Sequence, residues 1–195
     1  MKFEKIEKLE DILTVKIGRN LSRRNEKNDL TLVAYSYEDL MNDLDVSFLE
    51  SQASSYNTNS DHKSGYLSSA GDVVFSFVSS KAGIVSELNQ GKIINQNFAK
   101  LIIKSDYLDK HYLCYVLNES NSMKKQMAIS MQGSTVPKLT PAILKGLEIK
   151  LPTIEKQRTI GKAYFSLRKR QALAKRQIEL EEQLYLEVLK QLDQQ

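Results

Sequence analysis

The pattern of apolar and polar positions is longest and most regular in the last quarter of the chain. Residues 147–151 alternate as a strand does and end at Pro152, after which roughly forty residues read as one uninterrupted helix. At about 1.5 Å per residue, this helix spans about 60 Å, near twice the diameter of a small domain. We therefore predict that it cannot pack along its whole length on its own body and that it meets a partner.

Apolar residues recur along this helix at steps of three, four or seven, with one wider gap across Arg170 and Gln171. This spacing is typical of a seam against a second helix. The predicted dimerisation residues are Ile160, Tyr164, Leu167, Ala174, Ile178, Tyr185 and Val188, with Leu192 continuing the pattern. The alternative interpretation is a single helix that is solvated on all sides.

The charges of the helix indicate how a second copy would lie. Eight basic residues and no acid fall between Lys156 and Arg176, whereas residues 177–195 hold five acids against Lys190 alone. The helix macrodipole favours the opposite distribution, by about 0.3–1 kcal/mol per well-placed charge. An antiparallel copy would set each basic half beside an acidic half, and a parallel copy would set like charges together. The sequence therefore favours an antiparallel homodimer.

The first 151 residues predict a mixed α+β body without regular βαβ alternation and without an internal repeat. Residues 2–13 read as a short strand or helix that leads into 14–18, and 40–47 are ambiguous. The predicted strands are 30–37, 73–78, 83–88 and 97–103, the last two paired with each other. The predicted helices are 106–118, 122–131 and a short one capped by Thr140 that ends at Gly146. We divide the chain into a body, 1–151, and a long helix, 152–195.

Composition excludes several classes of protein. Apolar residues make up 41% and charged residues 27% of the chain, as in an ordinary soluble protein. No apolar run approaches a membrane span and the first residues lack a signal-peptide centre, so we expect a cytoplasmic protein with no membrane partner. Cys114 is the only cysteine, which excludes an internal disulfide, and we expect it to fill core.

Catalytic and cofactor-binding patterns are missing from the sequence. His62 and His111 are the only histidines, and no metal-ligand spacing joins them to the cysteine. No glycine-rich nucleotide-binding signature occurs. Glu148 and Lys150 match half of a metal-dependent nuclease site, but no upstream carboxylate stands out as their companion. We expect a chain that is not an enzyme and binds no metal and no cofactor.

Basic and amide-rich turns are better candidates, as contacts to DNA. The net charge of +4 is concentrated in the last 45 residues, so anion binding by the body would need local patches. Arginine and lysine hold phosphates, while amides and hydroxyls read base edges. The acidic stretch 38–61, which holds no basic residue, should face away from phosphate. The candidate DNA-binding residues are Arg19, Arg23, Arg24, Lys81, Gln96, Asn97, Gln132, Ser134, Thr135 and Lys138.

Several segments, in this order, resemble the target-recognition domain of type I restriction–modification specificity subunits. A Gly-Asp-apolar-apolar-Phe strand at 71–76 is followed by Asn-Gln-Asn-Phe at 95–98, and a Tyr/Leu-rich helix segment covers 107–113. A Gly-Ser-Thr turn follows at 133–135. At 147–160 a strand ends in Leu-Pro and an acid-x-Gln-x-x-Ile helix start comes next. The resemblance covers about residues 5–195.

The resemblance implies a non-catalytic reader of double-stranded DNA. Family members usually contain two recognition domains and two long helices, so this chain is similar to a half-size subunit that would dimerise through its coiled-coil helix. The implied partners are a methyltransferase (modification) subunit and, as a further partner, a restriction/translocase subunit; these would carry the cofactors of DNA methylation and cleavage. Lys156 stands where the family usually has glutamate. The alternatives are a helical interaction scaffold that does not bind DNA, and a silent or truncated specificity fragment.

Overall fold

The computed structural model describes residues 5–21, 33–46, 65–132 and 139–194. Its strands are β1 (Lys5–Lys8), β2 (Leu13–Ile17), β3 (Val73–Ser76), β4 (Lys81–Ile84), β5 (Phe98–Ile103) and β6 (Glu148–Leu151). Its α-helices are α1 (Leu9–Ile12), α2 (Tyr37–Val46), α3 (Lys110–Glu119), α4 (Asn121–Ser130), α5 (Pro141–Gly146) and α6 (Ile154–Asp193). The predicted α+β class is confirmed, and so is the long C-terminal helix.

Four strands form an antiparallel sheet in the order β2-β5-β3-β4, while β1 and β6 pair separately. Side chains alternate between the two faces of the sheet. On one face, Phe75 and Leu101 point into the main core, which they share with residues of α3, α4, α5 and the start of α6. On the other face, Val74 and Phe98 join a smaller cluster with Tyr35, which precedes α2. The sheet is therefore covered on both sides.

The predicted pairing of 83–88 with 97–103 is wrong. Both segments contain a strand, but β3 lies between them and pairs with each, through Phe75 opposite Ala82 and opposite Ala99. The strand predicted at 30–37 is also wrong in its described part, because the chain enters α2 at Tyr37. Among the described residues, no helix is long and apolar enough to cross a bilayer.

A buried carboxylate joins α2 to the loop that follows β4. Asp43 is fully buried, and Tyr35 donates a hydrogen bond to its Oδ2 at 2.6 Å. Its Oδ1 accepts from Asn89 Nδ2 at 2.8 Å and from the Ser86 backbone N–H at 3.1 Å. Burial and the neighbouring carboxylate raise the pKa of the Tyr35 hydroxyl far above its usual range, so this hydroxyl remains a donor. All three donors thus compensate the cost of burying the charge.

Candidate nucleic-acid interface and helix anchor

Three of the predicted DNA-binding residues meet at one end of the four-stranded sheet. β2 ends there, followed by Arg19, and β5 begins there, preceded by Gln96 and Asn97. The Arg19 backbone N–H donates to the carbonyl oxygen of Ile94 at 2.8 Å. Gln96 and Asn97 are both exposed. We call this place, formed by Arg19, Gln96, Asn97 and the neighbouring Val78, the Arg19 end of the sheet.

A glycine allows the chain to take this path. A Cβ at Gly18 would collide with the backbone oxygens of Ile94 and Asn95, so a larger residue could not bring the two segments so close. The Gly18 N–H donates to the Phe98 carbonyl at 2.9 Å and continues the β2–β5 ladder for one more residue. The backbone of Arg19 is therefore held by the sheet rather than by a free loop.

The turn between β3 and β4 lies at the same end and was missed by the sequence reasoning. The Phe77 N–H donates to the carbonyl oxygen of Asn97 at 2.9 Å, which ties the turn to the residues before β5. Val78 at its tip is 72% exposed, and Ser80 adopts a positive φ of 54°. A non-glycine residue in this region is uncommon and is typical of a tight turn. An exposed apolar tip therefore stands beside polar side chains that can read base edges.

Of the remaining predicted DNA-binding residues, the structure describes Lys81 and Gln132. Lys81 begins β4, but its Nζ donates to the carbonyl of Asn118 at 3.3 Å and pairs with Glu119 at 3.4 Å, so its charge is directed toward α3. Lys81 as a DNA-binding residue stays a prediction, with part of its charge compensated by Glu119. Gln132 is exposed after α4, a helix that contacts β6 through Gln126. Outside the described residues lie Arg23, Arg24, Ser134, Thr135 and Lys138.

Lysines on the sheet face that bears Val74 add positive charge near this end. Lys16 of β2 lies directly opposite Lys100 of β5. Lys100 forms an ion pair with Asp72 at 2.5 Å, and the Lys16 ammonium stands 5.7 Å from the centre of the Tyr66 ring. The charge of Lys100 is thereby compensated, while that of Lys16 is held over an aromatic face in solvent.

The first turns of α6 are anchored to the body by one buried glutamine. Gln157 is 1% exposed, and its Nε2 donates to the carbonyl oxygens of Tyr107 and Pro152, each at 2.9 Å. Its Oε1 accepts from the backbone N–H of Asp109 at 3.0 Å. The side chain of Asp109 in turn caps α3, accepting from two backbone N–H groups. Gln157 therefore joins the start of α6 to the start of α3.

Further along, a second set of contacts joins the two helices. The Tyr164 hydroxyl accepts from Asn118 Nδ2 at 3.0 Å, and the same amide pairs with the backbone of Ala82 in β4. Arg168 pairs with Asp45 of α2 at 2.5 Å. Tyr164, one of the predicted dimerisation residues, is 7% exposed and packs on its own body, and its place in a dimer seam stays a prediction.

Beyond Arg168 the helix leaves the body. From Lys169 to Gln194 no described side chain is buried, over a length of about 37 Å. The predicted seam residues that are exposed are Leu167, Ala174, Ile178, Tyr185 and Val188. The prediction that α6 cannot pack along its whole length on its own body is confirmed.

We expect His111 to make the folded state sensitive to acid. Its ring packs edge-to-face on Phe165, with centroids 5.2 Å apart, and burial lowers its pKa more than the nearby Asp109 carboxylate raises it. The unfolded chain then binds more protons, so stability falls as the pH drops from the unfolded pKa near 6.5 through the lower folded value. We expect urea denaturation between pH 7.5 and 5.5 to show a larger loss for the wild type than for His111→Gln. Equal losses in wild type and His111→Gln would refute this role.

The described residues offer little to a metal ion. No cluster of three or more histidine, cysteine, aspartate or glutamate side chains with suitable geometry occurs among them. Glu148 and Lys150, the half-match to a nuclease site, alternate as exposed residues on β6, which pairs with β1. Cys114 is buried, as predicted, and burial raises the pKa of its thiol.

A family model matches most of the chain. Residues 3–183 match the type I restriction modification DNA specificity domain. The chain belongs to this family. The family consists of specificity subunits, which are non-catalytic.

A named relative agrees with this assignment. The type I restriction enzyme MjaVIII specificity subunit of Methanocaldococcus jannaschii is 29% identical over 87 residues, which are 45% of this chain and 20% of that protein. The chain therefore spans a small part of this relative.

Solved structures of specificity subunits share the fold. The HsdS subunit of Thermoanaerobacter tengcongensis has a TM-score of 0.52 at 17% identity, over 87% of this chain and 38% of that one. The type I S subunit of M. genitalium has a TM-score of 0.54 at 12% identity, over 95% and 44%. A chain solved in a study of complex assembly and conformational transition of the type I R-M system has a TM-score of 0.58 at 18% identity, over 97% and 44%. This chain spans less than half of each neighbour.

Proposed function

We propose that this member of the specificity family reads one half of a two-part DNA site and acts as an antiparallel homodimer through α6. In this role it directs a methyltransferase subunit to the site, with a restriction/translocase subunit as a further partner. Because the chain spans less than half of each structural neighbour, two copies would supply a molecule of comparable length. A two-fold dimer presents its two bodies symmetrically, which corresponds to inverted half-sites.

The observation that carries the DNA-reading role is the composition of the Arg19 end. It combines one guanidinium, two exposed side-chain amides and an apolar tip on backbone held by the sheet. A guanidinium can hold a phosphate or read guanine, amides can read adenine, and an apolar tip suits the thymine methyl group. The acidic residues of α2 lie on a different element, where Asp39 pairs with Lys92 at 2.7 Å and Asp45 with Arg168.

Asp39, Asp43 and Asp45 of α2 are thus directed to internal partners, whereas Glu38 is exposed. Burial tends to raise the pKa of Asp39, but hydrogen bonds from Lys92 and Ser36 outweigh it, so the pKa lies below its usual value. Asp39 therefore remains ionised and paired near neutral pH.

Binding to random-sequence DNA duplexes tests this function. We expect the wild-type dimer to bind with an affinity that falls steeply with salt, and Arg19→Ala to lower the salt slope by about 1 for each phosphate that the variant no longer neutralises. Asn97→Ala should leave the salt slope unchanged. It should weaken binding to the duplexes that the wild type selects from the random-sequence pool, by about 1–3 kcal/mol. Arg158→Ala, at an exposed position of α6, is the matched control.

Three outcomes separate the proposal from its alternatives. No salt-sensitive binding, even with the methyltransferase subunit added, would favour the scaffold. Binding that selects no sequence would favour a silent fragment. A selected sequence that is identical for wild type and Asn97→Ala would remove Asn97 from the reading surface.

A further inference from the structure

The turn between β3 and β4 holds one apolar side chain in solvent, and contacts on both sides of the tip fix its place. Before the tip, Phe77 is 4% exposed and packs edge-to-face on Phe75, with ring centroids 5.5 Å apart. After the tip, the Ser79 N–H donates to Ser76 Oγ at 3.2 Å. Val78 lies between these two contacts. Its exposed position is therefore set by its neighbours and does not depend on its own side chain.

The strand after the turn is also anchored. The Ala82 N–H donates to Asn118 Oδ1 at 2.7 Å, and the Ala82 carbonyl accepts from Asn118 Nδ2 at 2.8 Å. Asn118 belongs to α3 and is buried. Valine itself has few side-chain rotamers, because it branches at Cβ. A ligand that contacts Val78 would therefore cost little conformational entropy.

Two side-chain amides lie beside the tip. The hydrogen bond from the Phe77 N–H to the Asn97 carbonyl joins the turn to the residues before β5. Val78 directly follows Phe77, and Gln96 directly precedes Asn97, so the apolar tip and both amides start from one place at the end of the sheet. Neighbouring strands lie about 4.8 Å apart, and successive base pairs about 3.4 Å apart. The tip and the amides can therefore reach the same base pair or adjacent ones.

An A·T pair offers partners to both kinds of side chain in the major groove. Adenine N6 and N7 form two hydrogen bonds with the amide of asparagine or glutamine, and thymine presents its C5-methyl group on the same groove edge. The major groove admits a two-stranded β-ribbon, which is the form of the β3–β4 hairpin. Cytosine carries no methyl group there, so an apolar contact adds information to the hydrogen bonds.

We propose that Val78 contacts the C5-methyl group of a thymine in the target half-site and makes recognition depend on this methyl group. The ligand is a 5-methylpyrimidine in the major groove, beside the adenine edge that Asn97 or Gln96 reads. The inference rests on the DNA-reading function proposed above. It adds a requirement that hydrogen bonds alone do not impose, because thymine and uracil pair with adenine in the same way and differ in this methyl group.

Replacing thymine with deoxyuridine tests the contact. A duplex that the wild type selects from the random-sequence pool is prepared with deoxyuridine in place of each thymine of one half-site in turn. We expect one of these replacements to weaken wild-type binding about fourfold, the effect of removing one methyl group from an apolar contact. The other replacements should change the dissociation constant less than twofold.

Variants of the turn assign the effect to the side chain. Val78→Ala should bind the thymine duplex and the sensitive deoxyuridine duplex with dissociation constants within about 1.5-fold of each other, because the two changes remove the same contact. Leu88→Ala is the matched control: Leu88 is 77% exposed in the short helix Glu87–Asn89, beyond the other end of β4. This control should keep the fourfold difference. Urea denaturation should give both variants the midpoint of the wild type.

The outcomes separate this contact from the function on which it rests. A wild type that selects no sequence would overturn the DNA-reading function and the Val78 contact together. A wild type that selects a sequence, but binds every deoxyuridine duplex as tightly as the thymine duplex, would overturn the contact and leave the function in place. A fourfold difference that persists in Val78→Ala would also overturn it, because another side chain would then read the methyl group.

Discussion

Replacing Gln157 with leucine is expected to lower the free energy of unfolding by about 3 kcal/mol. Leucine fills a similar volume but leaves the carbonyls of Tyr107 and Pro152 and the N–H of Asp109 without this side-chain partner in a buried place. Each such group costs about 1–3 kcal/mol, partly offset by the burial of an apolar side chain. Urea denaturation of the purified protein measures the change.

The control for this variant is a glutamine on the exposed part of the same helix. Gln183→Leu changes the same chemical groups at an exposed position and should alter stability by less than about 0.5 kcal/mol. A Gln157→Leu protein as stable as Gln183→Leu would show that the start of α6 does not depend on this amide. The result also bears on the helix start Glu155-x-Gln157, which resembles the family pattern: the buried glutamine is a structural anchor of the helix.

Gly161→Ala is expected to destabilise the protein by about 2 kcal/mol, although alanine favours a helix by about 1 kcal/mol over glycine. A Cβ at this position would lie 2.6 Å from the Cβ of His111 and 2.7 Å from the backbone nitrogen of Tyr112. Both atoms belong to the first turn of α3 and cannot move as the tip of a flexible side chain does. The two helices would have to separate, which would lengthen the hydrogen bonds of Gln157 as well.

Gly146→Ala gives the matched comparison for this substitution. Gly146 ends α5, and a Cβ there would meet no atom within 4 Å, so its replacement should be neutral or mildly stabilising. Thermal unfolding of both variants, side by side, measures the difference. Equal melting temperatures for Gly161→Ala and Gly146→Ala would show that α3 and α6 do not need this close approach.

The elements that the sequence predicted well carry local signals. Thr140 accepts a hydrogen bond from the N–H of Ile143 with Pro141 at the first position, as the capping pattern indicated. The helix predicted from 106 begins at Lys110 instead, because Asp109 takes the cap through the N–H groups of His111 and Tyr112. Caps and periodicity act within a few residues, so one sequence is enough to find them.

The start of α2 also carries a local capping signal, which the predicted strand at 30–37 did not take into account. Ser36 Oγ accepts from the Asp39 N–H at 3.1 Å, and Asp39 Oδ2 accepts from the Ser36 N–H at 2.9 Å, a reciprocal cap at Ser-x-x-Asp spacing. The alternation before it favoured a strand through Tyr37 instead. In contrast, nothing local shows that β3 inserts between β4 and β5, because strand order depends on contacts between distant segments.

The candidate site was predictable in its chemistry more than in its arrangement. Arg19, Gln96 and Asn97 were selected as residue types that contact DNA, and the sheet register brings them to one end. Lys81 has a suitable side chain too, but its partner, Glu119, lies on a distant helix that composition does not reveal. Val78 was not among the predicted contact residues, because in the sequence it forms the end of the predicted strand 73–78. Only the structure places it beside the polar residues Gln96 and Asn97.

At the Arg19 end, the groups that hold the fold together differ from the side chains that would contact DNA. The hydrogen bonds that hold Asn97 in place come from its backbone N–H and carbonyl groups, while its side chain and that of Gln96 face outward. Such positions can be varied in a library with little effect on the yield of folded protein. This arrangement gives a scaffold on which new sequence preferences can be selected by changing a few side chains.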